Sequence, residues 1–84
     1  GMRIGFKTGD HDLEVKSKQA HKFLEAGNPV KVTLIFRGRE AAYRDLGIQK
    51  MMKFFDWVKD VSVMEASPKK TGNMLIMILS PRKS

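Results

Sequence analysis

The chain contains no cysteine. This excludes a disulfide framework and thiolate-held metal, and it suits a reducing compartment. Long apolar runs are also missing. The longest, Met74 to Leu79, has six residues, whereas a membrane-crossing helix needs about 20. No secretory signal is visible. The 84 residues are too few for two cores, or for an enzyme holding a large cofactor in one fold and a substrate in another. Residues 1–84 therefore read as one domain. Gly1 ahead of Met2 reads as a residue left by tag removal.

Catalytic constellations are scarce. His11 and His21 lack metal-ligand spacing. Ser17, Ser62, Ser67 and Ser80 carry no local nucleophile signature. Gly5, Gly9, Gly27 and Gly38 do not assemble a phosphate loop. No catalytic residue, metal or cofactor is expected, and the six methionines read as packing.

What is present is positive charge. Lys and Arg number 16 against 9 Asp and Glu, for a net charge of +7. Residues 1–9 contain Arg3 and Lys7 and no acid, and residues 66–84 contain Lys69, Lys70, Arg82 and Lys83 and no acid. The middle is nearly balanced. Such a surplus points to an anionic partner, or to a pair of solvated ends.

Hydrophobic patterning gives the elements. Residues 3–8 alternate and read as a short strand, with Ile4 and Phe6 on one face. Asp10 or Asp12 is placed to cap the helix expected over 11–26, whose apolar stripe is Leu13, Ala20, Phe23 and Leu24. Gly27 supplies a left-handed C-terminal position, and Asn28-Pro29 stops the helix. Residues 30–36 form the clearest strand, rich in β-branched side chains. After the Arg37-Gly38-Arg39 loop, a second helix is expected over 40–58, with Ile48, Met51, Phe54, Phe55 and Val58 inward. Gly47 within it costs about 1 kcal/mol of propensity and permits a close approach to the sheet. Residues 61–66 read as a third strand, 67–73 as a basic loop, and 74–79 as a fourth strand, apolar on both faces and hence central. The order β-α-β-α-β-β, with the last two strands antiparallel, makes an α/β two-layer sandwich with two helices on one face of a four-stranded sheet.

Three features bear on binding. In Arg37-Gly38-Arg39 a glycine between arginines lets the chain turn while two guanidinium forks project, a match for phosphate oxygens. The same loop also reads as an ordinary surface turn with Arg39 paired to Glu40 or Asp45. Lys50, Lys53 and Trp57 share a helix side. They suit RNA stacking, or else Trp57 packs over a sheet edge beneath lysine stems. The Lys69-Lys70 loop reads as a groove-seeking hairpin or a solvated turn.

The run Val30 to Glu40, ending Phe36-Arg37-Gly38-Arg39-Glu40, resembles the strand-loop-helix signature of the C-terminal domain of bacterial translation initiation factor three. Asp10 to Lys16, Phe23 to Gly27, Ser67-Pro68 and Met74 to Pro81 extend the resemblance over almost the whole chain. It implies a mixed sheet of order 1-2-4-3 and a cytoplasmic, non-enzymatic translation factor domain, monomeric and without cofactor or membrane attachment. It also implies binding to the small ribosomal subunit and its rRNA, blocking of large-subunit joining, and indirect action on initiator tRNA and mRNA start-codon selection. Carried over by position, the rRNA-binding set is Lys7, Lys18, Lys22, Arg37, Arg39, Lys53, Lys69, Lys70 and Asn73. The chain departs from the family pattern in several places, among them a second helix made more aromatic than usual by Phe54, Phe55 and Trp57. Lys7-Thr8 replaces Arg-Pro, lysine replaces arginine at Lys22 and Lys53, and Gly72-Asn73 replaces Gly-Arg. The family's N-terminal domain and lysine-rich linker are not in these 84 residues, so the resemblance implies either one domain of a two-domain factor or a divergent single-domain relative, and the short length reads as half of a factor. The alternative class is a small α/β protein-interaction module using the Leu46 and Trp57 side without touching RNA.

Overall fold

The computed structural model describes residues 1–82; Lys83, counted above in the basic C-terminal end, lies outside the described residues with Ser84. The chain runs β1 (Met2–Gly5), α1 (Asp10–Glu25), β2 (Val30–Ile35), a 3-10 helix (Gly38–Tyr43), α2 (Arg44–Asp56), β3 (Ser62–Thr71) and β4 (Met74–Pro81). The sheet order is β1-β2-β4-β3, as expected. β1 is parallel to β2, with Met2 opposite Val32 and Gly5 opposite Ile35. β4 runs antiparallel between β2 and β3. Strand alternation sends Ile4, Val30, Val32, Leu34, Leu75, Met77 and Leu79 into one core with Leu13, Ala20, Leu24, Met51, Phe54 and Val58 of the helical layer. The opposite sheet face, with Val63 and Ile78, is half-exposed.

Local chemistry explains where elements begin and end. β1 stops earlier than expected because the chain turns. Gly5 N–H donates to Thr8 Oγ1 at 2.8 Å, and Thr8 N–H donates back to Gly5 O at 3.0 Å. No aspartate caps α1. Its N-cap is Gly9, and Asp10 lies inside the first turn. The buried stripe of α1 is Leu13, Ser17, Ala20 and Leu24. Ser17 takes the place expected of Phe23 because its hydroxyl is satisfied by Glu14 O at 2.7 Å, which makes it an acceptable core residue. Phe23 is 53% exposed instead. The C-terminus follows the sequence. Gly27 has φ +94°, Asn28 N–H reaches Phe23 O and Gly27 N–H reaches Leu24 O. These two hydrogen bonds close a Schellman motif.

The second helix is split. Tyr43, at φ −102° and ψ 44°, separates the 3-10 helix from α2, and its ring stacks on Phe6 at 6.0 Å. Gly47 permits the close approach anticipated for it. A Cβ there would lie 2.6 Å from Cζ of Phe36 and 3.0 Å from Cδ1 of Leu75.

The basic loop expected at 67–73 is mostly strand. β3 continues to Thr71, with register irregularities between Met64 and Lys69. Those bulges lie on an edge strand, where Pro68 and its missing N–H are tolerated. Only Gly72 and Asn73 form the turn, and Gly72 takes φ +61°.

Two side-chain contacts to aspartate tie the helical layer together. His21 Nε2 lies 3.0 Å from Asp60 Oδ2, linking α1 to the segment before β3. Lys53 Nζ lies 2.9 Å from Asp10 Oδ1, linking α2 to the start of α1. Each hydrogen bond holds its aspartate below the usual carboxylate value of 3.8, that from His21 on Asp60 and that from Lys53 on Asp10. A carboxylate depressed in the folded state adds stability above its unfolded value and loses it as pH falls through the folded one. Thermal midpoints should therefore drop between about pH 5 and pH 3. An Asp10→Asn/Asp60→Asn variant should show a visibly shallower drop; an equal drop would place the acid sensitivity elsewhere.

Candidate nucleic-acid interface

The topology brings one set of chain ends together. β1 and β2 are parallel, so their C-terminal ends share an edge of the sheet, and the antiparallel β3–β4 turn returns to that same edge. Lys7, Arg37, Arg39, Lys70 and Asn73 of the predicted set follow or adjoin these ends. A cleft of about 640 Å³ opens there between Arg3, Lys7, Lys16 and Arg37, with Glu40 at its border. A second depression of about 330 Å³ is lined by Arg44, Ile48, Pro68, Lys69, Lys70 and Leu75.

Within the Arg37-Gly38-Arg39 loop, Gly38 has φ +59°, a conformation that favours glycine. The Glu40 carboxylate does not pair with Arg39. It accepts the Arg37 backbone N–H at 2.8 Å, which fastens the 3-10 helix start. A guanidinium accepts no hydrogen bond, so the Arg37 side chain takes no part in this cap. Among the described residues no carboxylate lies within 4 Å of either guanidinium. The surface-turn reading, with Arg39 bound to Glu40 or Asp45, is thus not what the loop adopts. Asn73 clasps the hairpin to the same place. Phe36 N–H donates to Asn73 O at 2.7 Å, and Asn73 Nδ2 donates to Phe36 O at 3.2 Å. Its amide serves the backbone just before Arg37.

Lys69 and Lys70 both border the second depression, but from oppositely facing positions of β3. Lys70 pairs with Leu75 on the helix-facing side, and Lys69 pairs with Ile76 on the open side. Other predicted residues lie apart. Lys22 is in the last turn of α1, and at about 1.5 Å per residue it sits ~18 Å along the helix from Asp10. Lys18 lies exposed between them. Lys53 is occupied by Asp10. Lys50 turns inward and donates to Phe6 O and Thr8 O. Leu46 is 51% and Trp57 40% exposed, so Trp57 is only partly packed.

Lys16 and Arg44 were missed by sequence reasoning, and Arg3 entered it only as charge at the N-terminal end. The parallel β1–β2 pairing brings Arg3 and Lys7 near the segment after β2, whereas Lys16 and Arg44 are carried in by α1 and α2. Among the described residues no group of three His, Asp or Glu side chains is positioned to hold a metal, and no helix is long and apolar enough to cross a membrane.

The fold and this edge define a small α/β sandwich domain with one strongly basic end. The chain belongs to the family described as Translation initiation factor IF-3, C-terminal domain, whose model matches residues 1–82. It is 48% identical over 83 residues to Translation initiation factor IF-3 of Mycoplasma capricolum subsp. capricolum, covering 99% of this chain and 46% of the relative. The factor of the same name from Clostridium perfringens is 46% identical over 83 residues, covering 99% and 47%. That of Geobacter metallireducens is 40% identical over 81 residues, covering 96% and 47%. The chain spans about half the length of these relatives.

Proposed function

We propose that the chain acts in translation initiation as a non-enzymatic domain that binds rRNA of the small ribosomal subunit. Bound there as a monomer in the cytoplasm, it occludes large-subunit joining and supports initiator tRNA and start-codon selection. One observation carries this reading: Lys7 and Arg37 line one cleft, Arg39 follows two residues on, and Lys70 lines a depression beside the β3–β4 turn at the same end of the sheet, in a chain whose relatives are named initiation factors. Lys16, Arg3 and Arg44 enlarge that end. Lys18 and Lys22 form a second basic strip on α1, Lys69 borders the depression of Arg44 and Lys70, and Lys53 and Asn73 act from paired positions. Binding is mainly electrostatic, because lysine and arginine displace counterions from the phosphates.

Binding of the 84-residue chain to purified small subunits across a salt series tests this. About four phosphate contacts give a slope of log affinity against log salt of roughly −3. No binding at low salt, or binding indifferent to salt, would overturn it.

A further inference from the structure

Lys50 lies outside the expected rRNA-binding set, and its geometry is more specific than that of any exposed lysine. Its half-buried ammonium donates to Phe6 O and to Thr8 O, each at 2.6 Å, across more than forty residues of chain. It also sits 5.9 Å from the centroid of the Phe6 ring, within reach of a cation–π attraction. The two carbonyls flank Lys7. One turn further along α2, Lys53 holds Asp10 at 2.9 Å. The loop between β1 and α1 is thus fastened to α2 on both sides of Lys7.

The physical consequence concerns Lys7. A loop tip with free carbonyls samples many conformations, and ordering it on binding costs free energy. Lys50 removes that freedom beforehand. Its ammonium satisfies two carbonyls that face α2 and turns the intervening side chain outward, so that Lys7 lines the cleft with Arg37. A lysine with three donors suits this task, since it bonds two acceptors at once.

We propose that Lys50 is a positioning residue, which acts through Lys7 by pre-ordering the Phe6–Thr8 loop at the basic edge. The proposal rests on the rRNA-binding reading for its benefit to affinity, but not for the ordering of the loop. Two measurements separate these. Amide hydrogen exchange reads the loop alone. In Lys50→Met, the amides of Lys7 and Thr8 should exchange faster while those of the α1 core stay unchanged. Unchanged loop exchange overturns the proposal whether or not the chain binds ribosomes.

A double-mutant cycle on small-subunit affinity reads the coupling. Lys50→Met and Lys7→Ala should each weaken binding roughly tenfold, about the loss of one charge-assisted contact, and the double variant should be no weaker than either. Additive losses would mean that Lys50 touches the partner itself, and no loss from Lys50→Met would mean that the loop needs no support; both overturn the proposal. If Lys50→Met does not fold, Lys50→Gln keeps a donor without the charge, and the same non-additivity is expected. Absence of binding by the unaltered chain defeats the rRNA reading and leaves the exchange result to decide the loop.

Discussion

Phe36→Ala should lower the stability of the chain by about 3–5 kcal/mol, the usual cost of emptying a buried aromatic site. Phe36 is 1% exposed, and its environment cannot collapse to refill the space. On one side lies the backbone of α2 at Gly47, so close that a Cβ would sit 2.6 Å from Cζ of the ring. On another lies Phe6, tilted at a centroid distance of 5.6 Å. The Phe36 backbone is itself held by Asn73 through two hydrogen bonds. Helix α2 and Phe6 lean on this one ring, while the hairpin tip holds the backbone that carries it. Native proteins have about 5–15 kcal/mol in total, so the loss removes a large fraction of the stability. Urea unfolding should show the midpoint falling with the slope unchanged. A loss below about 1 kcal/mol would mean that the neighbours move into the gap. That would contradict the close Gly47 approach as the reason α2 packs where it does.

Phe36 also shows how much could be read from the chain alone. The alternation through Val30, Val32 and Leu34 placed Phe36 inward and Arg37 outward, since a strand has only two faces. Gly27 was legible for a similar reason. A helix stop with a left-handed residue is a local event, decided by a few consecutive positions. The sheet order required the family resemblance, although β4 was placed centrally from its own apolar character. What escaped was non-local. Ser17 is buried because Glu14 O satisfies it, and a stripe of apolar letters does not contain that fact. β3 extends through Pro68 because it is an edge strand with bulges, and a lone proline reads as a loop until the partner strand is known. Lys16 joins Arg3 and Lys7 only once α1 packs beside β1. The Lys50 amphipathic position was visible, but its direction was not. It turns inward because two carbonyls more than forty residues away need a donor. The charge near Arg37 was therefore legible as composition and as a motif, and the edge that collects it was not.

Changing Arg37 and Arg39 together to alanine should weaken small-subunit binding by about 2–5 kcal/mol if both meet phosphate, with little effect on unfolding. Both side chains are exposed, and neither is within 4 Å of a carboxylate among the described residues. Removing them leaves no buried group unpaired, so the folded state loses little. The backbone that shapes the loop survives as well, because Gly38 keeps its positive φ and Glu40 bonds the residue 37 N–H rather than its side chain. Affinity and stability are thereby separable at this site, which they are not at Phe36. The salt series adds an independent reading. Losing two phosphate contacts should make the slope shallower by roughly 1.5, whereas loss of an uncharged contact would shift affinity at constant slope. Replacing both arginines by lysine distinguishes charge from shape. Lysine preserves the counterion term but gives up the planar fork, so the slope should stay near that of the unaltered chain while affinity falls part of the way. If affinity and slope both survive the alanine pair, the decisive cations are those on the other wall of the cleft, Lys7, Lys16 and Arg3. The Arg37-Gly38-Arg39 turn would then serve chiefly to connect β2 to the 3-10 helix.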